Sequence, residues 1–402
     1  MIMDIPTENL DALVRRVFII EDTTLGGEKS GFLVRYHGRL LEDSAQAYDR
    51  LAQSLEPLKL TPLFRVENGR QTILIAPSLA AARPFNPRVN LILFVLTLLS
   101  VLFTGGALSI EGELPKGVLE VVGLFLREGW PFAVSMLGIL AAHEMGHYIA
   151  GRLHGVNVSL PYFLPLPFPF SPFGTMGAFI NMKSVPKNRR QLLDIGLAGP
   201  LAGMVIAIPV LLIGLRLSEL NVLPSGPAAS GLPQLQMEGN SILYLLAKYT
   251  VFGRLLPAPP DFHNLPPVLY WLQYFFTSRP LPYGALDVSL HPVAWAGWGG
   301  MLITSLNLIP AGQLDGGHMI YVLLGKRNTQ QLFPFILAAL VLLGFAWNGW
   351  WFWAFLIFIL GRFYAEPLDQ ITPLDGKRKF LAVVALGLFL LVFTPVPLIN
   401  IP

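Results

Sequence analysis

His143, Glu144 and His147 fall within one short run, "AAHEMGHYIA", with apolar residues on both sides. On a helix, residues four apart project from the same face, so the two imidazoles can hold a single Zn²⁺ together. Glu144 lies beside them, placed to take a proton from water at the metal, which is the H-E-x-x-H arrangement. The bland alternative is that both histidines hydrogen-bond backbone carbonyls inside a helical bundle. Catalytic zinc sites usually have three protein ligands and one open position, so the pair needs a third partner. His154 comes seven residues after His147 and lies beyond the apolar run. Asp315 is the clearer candidate, a lone carboxylate within "TSLNLIPAGQLDGGHMIYVLLG". Ionisable groups in such a setting are costly and rarely left without a partner, and a divalent cation would supply one.

Taken together, these residues resemble the site-2 protease family of intramembrane zinc metalloproteases. The resemblance covers roughly residues 131–325 and rests on three ordered motifs. They are His143-Glu144-x-x-His147, then Gly174-x-x-Gly177-Ala178-x-Ile180, then Asn307-x-x-Pro310-x-x-x-Leu314-Asp315-Gly316. It implies a three-helix metalloprotease core with His143, His147 and Asp315 as zinc ligands and Glu144 as general base. It also implies membrane-spanning protein substrates, cut near the cytosolic face of the bilayer. The family often has prolines just before its Leu-Asp-Gly, where this chain has Gly312 and Gln313. No inserted PDZ or CBS domain is evident, and the soluble N-terminal module resembles the bacterial and plant-plastid branch. A substrate helix has its carbonyls internally bonded and must unwind before cleavage. Gly174, Gly177 and the strand-like "GAFINM" would offer an edge that holds the unwound segment extended. Asn181 and Asn307 are candidates to bind the substrate backbone. His318, three residues after Asp315, is a candidate to orient a ligand from behind or to reach the interface as a helix-terminal residue.

The elements that must position these groups are apolar helices. The chain has 402 residues, 53% hydrophobic and only 13% charged, with a mean hydropathy of +0.56. Soluble domains average about 25% charged residues. The deficit begins after the first eighty residues, so the pattern reads as a small soluble module followed by a polytopic α-helical membrane protein. The expected divisions are a cytosolic module over 1–82, a linker over 83–89 and a membrane domain over 90–400. The module reads as a ββαββ unit with a hairpin turning at Asn68-Gly69, more suited to regulation or docking of a cytosolic ligand than to catalysis. About seven spans are expected, near 90–109, 131–151, 195–217, 291–324, 331–346, 349–364 and 380–397. Segments 241–253 and 268–276 are weaker. The proline-rich run 160–173 cannot be a regular helix and reads as a re-entrant loop or a rigid connector.

Lysine and arginine bias orients these spans. Arg83, Arg88, Arg152, Lys183, Lys187, Arg189, Arg190, Lys326, Arg327, Arg362 and Lys377 to Lys379 share one side if there are seven crossings. That side is expected to be the cytosol of a bacterial-type inner membrane, with the N-terminus inside. The N-terminal twenty residues do not read as a signal peptide. The basic residues sit beside apolar runs, which points to membrane orientation and away from nucleic acid. The chain has no cysteine, which excludes disulfides, thiolate metal sites and a cysteine nucleophile. Two other classes fit the same residues: a catalytically silent membrane scaffold keeping zinc for structure, and a transporter using the histidines and aspartate as a cation site. A scaffold has no use for Glu144, and no inverted repeat supports a transporter.

Overall fold

A computed structural model describes residues 7–27, 30–78, 86–109, 117–227, 235–262, 264–361 and 364–401. Much of the expected linker, with Arg83, and also Arg362 and His263 lie outside the described residues. The N-terminal module is built from α1 (Thr7–Val14), β1 (Phe18–Leu25), β2 (Val34–Leu40), α2 (Ser44–Leu55), β3 (Leu60–Glu67) and β4 (Arg70–Pro77). Its four strands form an antiparallel sheet in the order β1-β2-β4-β3. Alternate residues of β3 are buried, Leu60, Pro62 and Phe64, as a half-buried strand requires. The β3–β4 hairpin turns at Asn68 and Gly69, both at positive φ (50° and 79°), the geometry that matches strand twist in a two-residue turn. Asp43 caps α2 by accepting from the Ala45 amide, and the helix buries Ala47, Tyr48, Leu51 and Leu55 against the sheet. The expected ββαββ order is thus present, preceded by α1.

Three helices among the described residues are long and apolar enough to cross a membrane: α3 (Pro87–Ser109), α4 (Val118–Leu153) and α5 (Arg189–Arg216). In an apolar solvent helices associate through close backbone approach at small residues. A Cβ at Gly129 would lie 2.1 Å from the Leu102 carbonyl of α3, and one at Gly146 would lie 2.4 Å from the Ala198 carbonyl of α5. α8 (Pro292–Asn307) joins them, seated so that a Cβ on Gly214 of α5 would lie 2.1 Å from the Ala294 nitrogen. The shared core includes Phe132, Met136, Leu197, Met204, Trp298 and Met301.

The proline-rich run is a hairpin of β5 (Tyr162–Pro165) and β6 (Thr175–Phe179). It lies along α3: Asn90 Nδ2 donates to the carbonyls of Leu160 and Pro161, and further up the helix Ser100 Oγ donates to the Gly174 carbonyl. Ten residues of helix separate those contacts, about 15 Å of rise. The hairpin therefore runs along α3 over that length.

The expected single span over 291–324 is corrected. α8 ends at Asn307, residues 308–314 make a tight turn with Gly312 at φ 58°, and α9 (Asp315–Leu343) begins afresh. Pro310, which has no amide to donate, and a left-handed Gly312 break the helix there. A second break lies inside α9 at Gly325, whose φ and ψ are 78° and 168°. α10 (Gly349–Leu360) and α11 (Gly376–Val392) complete the bundle.

Beyond α5 the chain forms a cap from β7 (Glu219–Val222), β8 (Leu235–Glu238), α6 (Ile242–Phe252), α7 (Pro267–Thr277) and β9 (Leu286–Ser289). β7 pairs with β9, and β8 pairs with β10 (Leu398–Ile401). α6 and α7 have 11 residues each, about 16 Å of rise against a hydrocarbon core of about 30 Å. The two weaker segments are therefore short helices of the cap. Within it Lys248 is fully buried, with Nζ 4.0 Å from Glu238 and 3.9 Å from Asp287.

Candidate metal and catalytic site

His143, Glu144 and His147 lie in the last third of α4, buried at its contact with α5. Asp315 reaches them as the first residue of α9. The turn before it permits this only because the next two residues are glycines. A Cβ at Gly316 would stand 1.9 Å from the Leu308 carbonyl, and one at Gly317 would stand 2.3 Å from the Gly312 carbonyl. The Asp-Gly-Gly sequence is thus a steric condition for folding α9 back onto the end of α8.

Four atoms of three side chains converge. His143 Nε2 is 3.3 Å from Asp315 Oδ2, His147 Nε2 is 3.3 Å from Asp315 Oδ1, and the two Nε2 atoms are 3.2 Å apart. Ligands at ~2.0–2.1 Å from a tetrahedral zinc lie ~3.3 Å from one another. The triangle therefore has the size of three corners of a zinc tetrahedron. No other cluster of this kind occurs among the described residues. His147 Nδ1–H donates to the Ile195 carbonyl at 2.7 Å, which fixes the ring and leaves Nε2 unprotonated toward the centre, as a metal-ligating histidine needs. Glu144 is 3% exposed, its Oε2 has no hydrogen-bond partner, and its carboxylate is hydrogen-bonded by the backbone of Ile180. An unpartnered acceptor beside such a triangle suits a group that must receive a proton. The donor set and its geometry fit a zinc ion.

α5 makes the approach possible. A Cβ at Gly199 would lie 2.0 Å from His147 Nε2, one at Gly203 would lie 3.2 Å from His143, and one at Gly196 would lie 3.3 Å from His318. The spacing of these glycines in the sequence signals helix packing, but not that they pack on the ligands themselves.

A cavity of about 440 Å³ opens over the triangle. Asn181, Asn307 and His318 line it together with His143, Glu144, His147 and Asp315. Asn307 Nδ2 stands 3.5 Å from His143 Nε2, and His318 is buried with Nδ1 unpartnered. Gly174 and Gly177 do not line the cavity. Gly174 is pressed on α3, where a Cβ would lie 2.6 Å from Thr104 Oγ1, and it has φ 71°. The wall is formed instead by residues 178–182, just beyond Gly177. β6 is paired with β5 on one edge, and among the described residues no strand pairs with its other edge. Ala365 and Glu366 also line the cavity; nothing in their local sequence marks them. Two other histidines have structural partners: His154 Nε2 meets Asp194 at 2.9 Å, and His291 caps α8 by accepting from the Val293 amide.

Residues 131–347 match the family model described as Peptidase family M50. The chain is similar to "Probable zinc metalloprotease EGY1, chloroplastic" of Arabidopsis thaliana, 30% identical over 77% of this chain and 53% of that protein. It is also similar to "Probable zinc metalloprotease EGY2, chloroplastic" of Arabidopsis thaliana, 27% identical over 98% of this chain and 66% of that protein. The chain thus spans between about half and two thirds of the length of these relatives. No solved structure matches.

Proposed function

This chain belongs to peptidase family M50, the site-2 proteases, and from that premise we propose that it hydrolyses peptide bonds of membrane-spanning proteins with a bound zinc ion. One observation carries the reading: two imidazoles and a carboxylate, distant in sequence, form a triangle of 3.2, 3.3 and 3.3 Å beside an unpartnered buried glutamate. His143, His147 and Asp315 hold the metal. Zinc, when bound, supplies Lewis acidity at the scissile carbonyl and lowers the pKa of water toward about 7. Glu144 accepts a proton at Oε2 and returns it to the leaving amine. The substrate, unwound because a helix keeps its carbonyls occupied, adds as a strand to the free edge at 177–182, and Asn181 and Asn307 hold its backbone. His318 steadies the ligand set from one turn along α9.

The same proposal covers topology. The module over 1–82 faces the cytosol, 83–89 links it to a membrane domain over 90–400, and the core over about 131–325 is carried by seven crossings of a bacterial-type inner membrane. Two contacts support opposite sides for the two ends: Lys187 and Asp369 meet the module at Asp49 and Phe64, whereas β10 meets β8 in the cap beyond the far end of α5. The test is zinc content and cleavage of a transmembrane model substrate by the wild type and by Glu144→Gln. The expected result is cleavage only by the wild type, with about one zinc per chain in both. Zinc in both forms and cleavage in neither would make the chain a silent binding protein of the same fold.

A further inference from the structure

Residues 364–374 connect α10 to α11 on the side of the N-terminal module, and within them 367–370 lies between two backbone partners. On one side the Phe64 amide donates to the Leu368 carbonyl at 2.9 Å and the Gln370 amide to the Phe64 carbonyl at 3.0 Å, so the run extends the module's sheet past β3. On the other side the Leu368 amide donates to the Pro186 carbonyl at 3.1 Å and the Asp369 amide to the Lys187 carbonyl at 2.7 Å. Leu368 and Ile371 pack on the module's core. Arg65 Nη1 donates to the carbonyls of Pro367 and Leu368.

Asp369 is the centre of this junction. It is 0% exposed, and its carboxylate accepts from Ser44 Oγ of the module, from the amides of Ile371 and Thr372, and from the Thr372 hydroxyl. A buried carboxylate is tolerated only when its acceptor sites are filled in this way. Ion pairs flank it: Lys187 with Asp49 of the module, and Lys326 of α9 with Glu366 at 2.6 Å. The junction borders the catalytic cavity, since Ser184, Val185 and Pro186 line it on one wall and Ala365 and Glu366 on another. A strand lying along 177–182 and continuing in the same direction runs into this meeting point.

We propose that the N-terminal module is a gate on the cytosolic mouth of the catalytic cavity, locked by Asp369. The inference rests on the proteolytic reading. Leu368 and Asp369 close on Pro186 and Lys187 through their own backbone bonds, and the docked module holds the other edge of that run through Phe64, Arg65 and Ser44. The cavity of about 440 Å³ has the size of a small-ligand site, and in this proposal the groove lengthens to take an extended substrate when the module lifts. The module meets the run through two backbone bonds at Phe64, the Arg65 and Ser44 hydrogen bonds and the packing of Leu368 and Ile371, and contacts between domains of one chain move by default unless they are large and apolar. Asp369 is a positioning residue: it acts through the run that carries it and not on the substrate.

The chain's lack of cysteine gives a direct test. Asp49→Cys and Lys187→Cys are introduced together, and half of the sample is capped with N-ethylmaleimide while half is bridged with a short bis-maleimide. Cleavage of a transmembrane model substrate is measured in both, and its photocrosslinking is measured in both with Glu144→Gln added. The bridged form is expected to capture and cleave substrate at least tenfold less than the capped form at equal zinc content. Equal capture in the two forms would overturn the gate. Capture by the capped form without cleavage in the Glu144-intact background would sink the proteolytic reading and leave the gate standing. Asp369→Asn is expected to lower KM with kcat and zinc unchanged. A loss of kcat and zinc together would mean that Asp369 only supports the fold.

Discussion

At the residue scale, the candidate ligands were legible because their chemistry is out of place. Two histidines and an aspartate in apolar sequence need partners, and one metal ion would serve all three. The residue that admits them was less legible. Gly199 reads as a small packing residue, and only the tertiary contact shows that a Cβ there would lie 2.0 Å from His147 Nε2. Gly199→Ala is therefore expected to reduce zinc affinity at least tenfold, in the range seen when a ligand's supporting partners are lost, and to abolish cleavage. Gly138→Ala on α4 is the control, because a Cβ there meets nothing within 4 Å. Metal content by mass spectrometry and circular dichroism on both variants separate loss of the site from loss of fold.

At the element scale, the turn chemistry was readable and the helix breaks were not. Asn68-Gly69 announced its hairpin, and the prolines of 160–173 excluded a helix. By contrast, 291–324 reads as one hydrophobic run, and hydropathy carries no information about a seven-residue turn whose amides and carbonyls are satisfied inside protein. Leu308 and Ile309 show why, being apolar yet buried in that turn. The short α1 was missed because eight residues carry little periodic signal. The fold of α9 onto α8 yields a sharp prediction. Gly316→Ala must displace either the Leu308 carbonyl or the start of α9, with a cost of about 1–3 kcal/mol as for other overpacked sites. It is expected to lower the midpoint of thermal unfolding and to move Asp315 out of coordinating reach, read as loss of bound zinc.

At the scale of the whole molecule, the cap beyond α5 adds a response to pH. Burial pushes the Glu238 carboxyl up to about 7 despite the opposing pull of Lys248, and burial also raises that of Asp287. Between the unfolded carboxylate value near 4.3 and about 7 the folded cap holds more protons than the unfolded chain, so stability falls as pH rises through that window and levels off above it. Hydrogen exchange of 236–289 is expected to quicken from pH 5 to pH 7.5 after correction for intrinsic rates, and Glu238→Gln to flatten the trend. The order in which the chain is made gives its layout one more consequence. During synthesis a ribosome delivers the two imidazoles and the base long before residue 315, and the Ser44 hydroxyl of the module waits longer still for residue 369. A nascent chain thus carries an incomplete cluster, and its three side chains meet only once the later helices are in place.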